Sequence, residues 1–501
     1  MPAKGRRGGT ALKYGDYPKV ASLGDVAGFL AHAASCGLDF PCDAVIETGP
    51  DAPLAQPFTV CGRVLDNRFC IQPMEGWDGT PDGRPSDRTR VRWANFGRSG
   101  AKFIWGGEAV AVCHEGRANP LQLCLNEGTL PEIAGLRDIL LAAHRESAPA
   151  DDGPLLIGLQ LTHSGRFCRP DPGRGLRPVV LYRHPILDTK FGLPSDHPVM
   201  TDDAIERVIQ DFVAAAKRAQ RAGYDFVDLK HCHGYLGHEF LSALHRPGRF
   251  GGSLANRTRF LREIVAGIRA EAPGLEIGVR LSAIDLVPFR PDPLLSDAET
   301  LGPGAPEPHA AVYDAVFGAD PRNPVAFDIA PAIAFCEVMQ ELGIGLLNVT
   351  AGSPYYNPHV TRPALYPSSD GYRPPEEPLA GVLRLLTVTR LLKQRFPTMT
   401  VVGSGYTYLQ EFLPHVAQSA VRQGWTDFVG LGRMVLSYPE LPRDVLTTGA
   451  MQRKRLCRTF SDCTTAPRNG IVSGCYPLDP TYKKSPEARA LAAVKKAVKL
   501  T

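Results

Sequence analysis

Short apolar runs alternate with longer amphipathic stretches through the middle of the chain, the pattern of strand–helix units around a parallel sheet. Eight runs predict strands at 68–72, 103–110, 155–161, 226–229, 276–281, 346–350, 400–403 and 428–431. Most are apolar at nearly every position, as strands covered on both faces must be. The clearest helix between them is predicted over 201–223, where Thr201 stands at the cap, acidic residues fill the first turn and Gly223 marks the stop. Eight units over about 380 residues suit an α/β fold, a (β/α)8 TIM barrel with insertions. A doubly wound open sheet competes, but no predicted strand runs into a GxGxxG turn with an acidic residue about 20 positions on. The domains read as an N-terminal extension, 1–55, a barrel, 56–450, and a cysteine-containing C-terminal extension, 451–501. Residues 287–323, rich in Pro, Gly and Asp, read as a long loop after the fifth strand. That loop is a candidate lid, because such barrels build their sites from the loops that follow strands. Residues 486–501 read as a surface helix.

Composition excludes more than it selects. With 501 residues, 44% hydrophobic and 22% charged, the chain can bury a large core. A net charge of +4 from 56 basic and 52 acidic residues gives no electrostatic reason to expect nucleic acid or a membrane as partner. Lys4, Arg6 and Arg7 lie in a Gly-rich start that reads as a disordered arm. No apolar run is long enough to span a bilayer, and the N-terminus lacks the apolar core of a signal peptide. The 12 cysteines are scattered, several within apolar runs such as Phe69-Cys70-Ile71, and read as reduced thiols. A cytoplasmic enzyme acting on small molecules is the expectation, and a homo-oligomer is compatible with it.

Polar residues that a simple core does not need stand where the predicted strands end. The third strand runs on through Gln160-Leu161-Thr162-His163, the fourth through Lys230-His231-Cys232-His233-Gly234-Tyr235, and the fifth through Arg280-Leu281-Ser282. At the C-terminal ends of neighbouring strands these side chains would converge on one site. Gly403-Ser404-Gly405 follows the seventh strand and Gly432-Arg433 the eighth. Small residues let backbone N–H groups approach an anion, and an arginine binds phosphate as a fork.

These motifs, in this order, resemble the Old Yellow Enzyme and dienoyl-CoA reductase group of NADH:flavin oxidoreductases. The resemblance runs from about Cys61 to Leu446 and includes Gln72-Pro73-Met74, Glu115-Gly116-Arg117, His233-Gly234-Tyr235-Leu236 and Gly251-Gly252-Ser253-Leu254-Ala255-Asn256-Arg257. It implies bound FMN, with Pro73 and Met74 against the ring, Gly107 near its edge and Gln160 on the pyrimidine. Arg280 would face the N1–C2 carbonyl region, and Gly403, Ser404, Gly405, Gly432 and Arg433 would hold the phosphate. It also implies ping-pong catalysis, in which NADH or NADPH reduces FMN and the activated C=C bond of an α,β-unsaturated carbonyl compound is then reduced. His233, with a neighbour, would polarise the carbonyl, and Tyr235 would protonate the α-carbon.

Three departures from the family pattern bear on that expectation. Lys230 stands where relatives usually carry His, with His231 one step later, and alternation puts Lys230 on the side of Asp228. Glu75 stands where many relatives have Thr or Cys; it either lies by the ring or turns into solvent or a salt bridge. Cys457, Cys463 and Cys475 fall where dienoyl-CoA reductase relatives hold a [4Fe–4S] cluster, but Phe460 replaces one ligand, so neither a cluster nor any other metal is expected. Those relatives continue into a dinucleotide-binding domain that is not recognisable here, so electrons would come from diffusing NAD(P)H. The alternatives are an FMN-dependent dehydrogenase or demethylase passing electrons to a partner or oxygen, and a barrel that serves as a scaffold.

Overall fold

A computed structural model describes residues 17–150, 153–297 and 301–497; the arm containing Lys4, Arg6 and Arg7 lies outside them. Eight parallel strands close on themselves. They are β1 (Phe69–Ile71), β2 (Phe103–Ile104, continued at Ala109–Ala111), β3 (Leu156–Thr162), β4 (Phe226–Leu229), β5 (Glu276–Ser282), β6 (Leu346–Thr350), β7 (Thr400–Gly403) and β8 (Phe428–Leu431). Each pairs in parallel with the next, and β8 returns to β1 with Val429 opposite Phe69. The expected barrel is therefore present, and four of the eight predicted strands match residue for residue.

The outer ring comprises α1 (Asp87–Gly97), α2 (Leu130–Ser147), α3 (Asp202–Arg221), α4 (Arg259–Glu271), α5 (Ala330–Glu341), α6 (Pro378–Arg395), α7 (Leu413–Arg422) and α8 (Leu441–Thr448). In α3 the Thr201 side chain accepts from the Ala204 N–H, and Asp202 and Asp203 occupy the first turn, so the start signals in the sequence act as read. Its apolar stripe, Ile205, Val208, Ile209, Phe212 and Ala216, lies against the sheet and α4.

The barrel interior near its N-terminal end is aromatic. Phe103 of β2 lies 5.1–5.7 Å, centroid to centroid, from Trp105 just after it, Phe226 of β4 and Phe428 of β8, and Trp105 lies 5.4 Å from Phe226, in tilted and edge-on contacts. Such bulk fits because β3 carries Gly158, where a Cβ would come within 2.2 Å of the Phe226 ring. Val60 and Leu65, from the hairpin Phe58–Val60/Arg63–Leu65, close this end. The open end of the barrel is therefore the opposite one, where the strands finish.

Two expectations need correction. The predicted strand 103–110 is broken: Gly106 and Gly107 take φ of 145° and 48°, and pairing resumes at Ala109. The stretch 287–323 is partly ordered into short antiparallel strands, Phe289–Pro291 with Gly304–Pro306 and Ala319–Asp320 with Asn323–Phe327. Its described residues do not line the main cavity, so the lid role falls away. The helix Pro486–Ala497 is present and buries Leu491 against Ala466 and Tyr476. Among the described residues no helix is long and apolar enough to cross a membrane.

Candidate active site

A cavity of about 250 Å³ opens at the C-terminal mouth of the barrel. It brings together Pro73, Met74 and Glu75 after β1, Gln160 on β3, and Lys230, His233 and Tyr235 after β4. Arg280 of β5, Ser404 and Gly405 after β7, and Gly432 and Arg433 after β8 also line it. Residues from six separate strand ends thus meet at one place, as the sequence order implied.

One buried carboxylate organises the floor. Asp228 Oδ2 accepts from Trp105 Nε1 at 2.8 Å and Gln160 Nε2 at 2.5 Å, while Oδ1 accepts from the Arg280 backbone N–H at 2.7 Å. Burial pushes the Asp228 carboxyl up to about 6, against the pull of these donors. Arg280 donates from Nη1 to the Pro73 carbonyl at 3.0 Å, leaving its Nε buried without a partner.

A second group lies around Tyr235. Lys230 Nζ donates to Glu75 Oε1, and the Tyr235 hydroxyl donates to Glu75 Oε2 at 2.6 Å. The Lys230 ammonium also sits 3.8 Å from the centroid of the Tyr235 ring. Tyr235 shares a 2.9 Å hydroxyl–hydroxyl bond with Tyr355. Burial and the Glu75 charge push the Tyr235 hydroxyl well above its usual range, so it keeps its proton at neutral pH. His233 is held with φ 66° by bonds from its N–H to Ser282 Oγ and to its carbonyl from Ser353 Oγ. Burial, then the charges of Arg280 and Lys230, keep its ring neutral.

The third group is cationic. Arg433 donates to the Pro363 carbonyl at 3.1 Å, and its Nη1 is buried without a partner. Arg362, after β6, bonds Thr464 and Ser368, and its Nε is likewise unpartnered. Burial and then the neighbouring Arg433 charge lower the Arg362 guanidinium to about 10. Two half-buried cations side by side, each with a buried donor left unfilled, fit an anion such as a phosphate. The wall in front of Gly432 is open: a Cβ there would have nothing nearer than Met74 Sδ at 3.9 Å.

Some predicted residues lie elsewhere. His231 faces outward, its Nδ1 on the Leu229 carbonyl and its ring packed near Phe260 and Phe335; alternation along the strand leaves Lys230 as the inward residue. Gly107 is turned from the cavity, and a Cβ there would meet the Trp93 ring at 3.1 Å. Gly403 stands one residue behind the wall, its carbonyl accepting from Gln72 at 3.2 Å. Cys457, Cys463 and Cys475 converge with Phe460 on a separate cavity of about 20 Å³ beside Arg433; of the three, Cys463 also reaches the main cavity. The sequence reading missed Asp228, Trp77, Tyr355, Arg362 and Arg468. Tyr355 and Arg362 follow β6, the one strand end from which no candidate was drawn, so topology alone held that signal.

A closed parallel barrel with one polar, cation-rich cavity at its C-terminal mouth defines a cofactor-binding (β/α)8 barrel. Residues 53–292 match the model of the NADH:flavin oxidoreductase / NADH oxidase family. An NADPH dehydrogenase of a Geobacillus species is 32% identical over 240 residues, 47% of this chain and 64% of that protein. An NADH:flavin oxidoreductase of Gibberella zeae is 31% identical over 253 residues, 48% of this chain and 59% of that protein. The matches thus span less than two thirds of these relatives. Among solved structures, a 2-naphthoyl-CoA reductase complex superposes with TM-score 0.62 at 19% identity, covering 86% of this chain and 57% of the other. The Old Yellow Enzyme homologue of Zymomonas mobilis gives TM-score 0.53 at 21% identity, covering 80% and 95%. Both likenesses speak to the fold.

FMN is the cofactor of this family, and the residues present fit it. Arg362 and Arg433 offer unfilled donors for its phosphate beside the open wall at Gly432. Gln160 and the unpartnered Arg280 Nε suit the pyrimidine, with Pro73 and Met74 beneath.

Proposed function

We propose that the protein is an FMN-dependent oxidoreductase that uses NAD(P)H to reduce the activated C=C bond of an α,β-unsaturated carbonyl compound. The observation that carries this reading is the convergence of Gln160, Arg280, Arg433, His233 and Tyr235 on one cavity. Bound FMN supplies reversible two-electron chemistry, accepting hydride from a nicotinamide and passing hydride to an acceptor. Arg280 would stabilise negative charge gathering at the pyrimidine edge. Lys230 and neutral His233 would donate to the substrate carbonyl oxygen, drawing electron density from the β-carbon. Tyr235, protonated at neutral pH, would give its proton to the α-carbon as hydride reaches the β-carbon, so that two hydrogens add across the bond. The Lys230 ammonium over the ring would steady the resulting phenolate, and Tyr355 offers a route for its reprotonation.

A second reading rests on Glu75. Its carboxylate accepts the Tyr235 proton bond, so the pair could run as a base in a dehydrogenase or demethylase that passes electrons to a partner or oxygen. Absorbance between about 350 and 500 nm, where bound flavin absorbs, separates the readings. Anaerobic NADH or NADPH should bleach the flavin, and a cyclohexenone should restore it. Bleaching by an amine or alcohol substrate but by neither nicotinamide would favour the oxidative reading, and protein that takes up no FMN would favour a scaffold.

A further inference from the structure

The lining of the main cavity carries five cations, Lys230, Arg280, Arg362, Arg433 and Arg468, and one carboxylate, Glu75. FMN as placed above accounts for three of the arginines, and Lys230 is paired with Glu75. Arg468 remains. It is delivered by the helix Asp462–Arg468 of the C-terminal extension, and its guanidinium lies flat on Tyr355 at 3.9 Å from the ring centroid, with the Trp77 ring 5.9 Å away. Its Nε faces Asp370 at 3.1 Å yet is buried without a hydrogen-bond partner. Trp77, on the same wall, has its indole N–H buried without an acceptor. Burial opposes the charge on Arg468, but Asp370, Tyr355, Tyr235 and Glu75 outweigh it, so the cation is held firmly.

We infer that Arg468, with the Trp77 N–H, forms an anion subsite for a carboxylate on the substrate, at the opposite end of the tilted Tyr355–Tyr235 pair from the Lys230 carbonyl donor. Unfilled donors in a partly dry wall are costly without an acceptor, and a planar guanidinium pre-set against an aromatic face matches a carboxylate with two parallel bonds. The substrate class is then an unsaturated carbonyl compound bearing an acid group. This inference rests on the FMN reading for the orientation of the cavity.

The test is a calorimetric titration of the FMN-loaded full chain with 4-hydroxybenzoate and with its neutral isostere 4-hydroxybenzamide. Wild type should bind the acid roughly tenfold or more tightly than the amide, the range of a charge-assisted hydrogen bond. Arg468→Met should bring the two affinities together. Asp370→Asn, which frees Arg468 from its competitor, should widen the gap and so tests the inference even if Arg468→Met fails to fold. Equal affinity in wild type, or an unchanged preference in either variant, overturns the subsite. So does an Arg468→Met defect confined to NAD(P)H, which would assign the cation to the nicotinamide phosphates. The flavin band of the same sample reports the cofactor independently: a colourless chain would sink the FMN reading, while the acid–amide difference would still decide on Arg468.

Discussion

Asp228 shows how much of the site depends on single buried groups. Three donors converge on it, from Trp105, Gln160 and the Arg280 backbone, yet burial still raises its carboxyl to about 6. A raised folded-state value means that the native protein holds the proton more tightly than the unfolded chain. The resulting stability is fully present below about pH 4 and is lost as pH rises through about 6. Asp228→Asn removes this titration. The unfolding free energy of wild type relative to the variant should therefore fall by up to about 3 kcal/mol between about pH 4 and pH 7, read from urea curves at each pH. A difference that stays flat would mean that Asp228 titrates normally. Sequence alternation was enough to set Lys230 on the side of Asp228, but it left open whether Lys230 or His231 reaches the substrate. The partners of Asp228 were not legible, because they come from β2, β3 and β5 and no local pattern joins them.

At the scale of the element, strand identity is written locally and strand continuity is not. The runs 226–229, 346–350, 400–403 and 428–431 are bounded by turn residues and match the strands observed. The run 103–110 looks equally apolar, but Gly106-Gly107 turns the chain there and aims Glu108 at Arg92, whose Nη2 donates to it at 2.7 Å. That buried pair, with Asp78 as the second acceptor, is a tertiary reason for the break. Gly158 in β3 makes the complementary point. Its backbone is ordinary, and what forbids a side chain is the Phe226 ring across the barrel. Gly158→Ala should overpack the aromatic floor and destabilise the fold by about 1–3 kcal/mol, seen as a lower urea midpoint with an unchanged slope. An unaffected midpoint would show that the Phe226 ring has room to move. Gln160 lies two residues along the same strand, so the variant should also weaken FMN binding.

Across the whole molecule, the site turns out to be shared between the barrel and the C-terminal extension, which the chain order separates. The sequence reading placed the boundary at 450 and drew from the extension only cysteines, since nothing in residues 451–501 has the periodicity of a barrel unit. The structure folds that extension back over the mouth, where Cys463, Thr464, Pro467, Arg468 and Ser473 form one wall of the cavity. Its attachments are largely polar. Arg88 of α1 pairs with Glu487 at 2.7 Å, Ser461 Oγ donates to the Tyr366 carbonyl at 2.7 Å, and Arg458 pairs with Glu411 at 2.7 Å. Leu456 joins the barrel core, while Ala466, Tyr476 and Leu491 form a small cluster of their own. Leu491→Asp would bury a carboxylate in that cluster at a cost of several kcal/mol, enough to undock the wall and too remote from the barrel core to unfold it. Bound flavin should then become more accessible to the neutral quencher acrylamide, while the urea midpoint of the barrel changes little. If quenching and midpoint shift together, the extension and the barrel form one cooperative unit; if neither shifts, the wall is held by its polar contacts to the loops after β6.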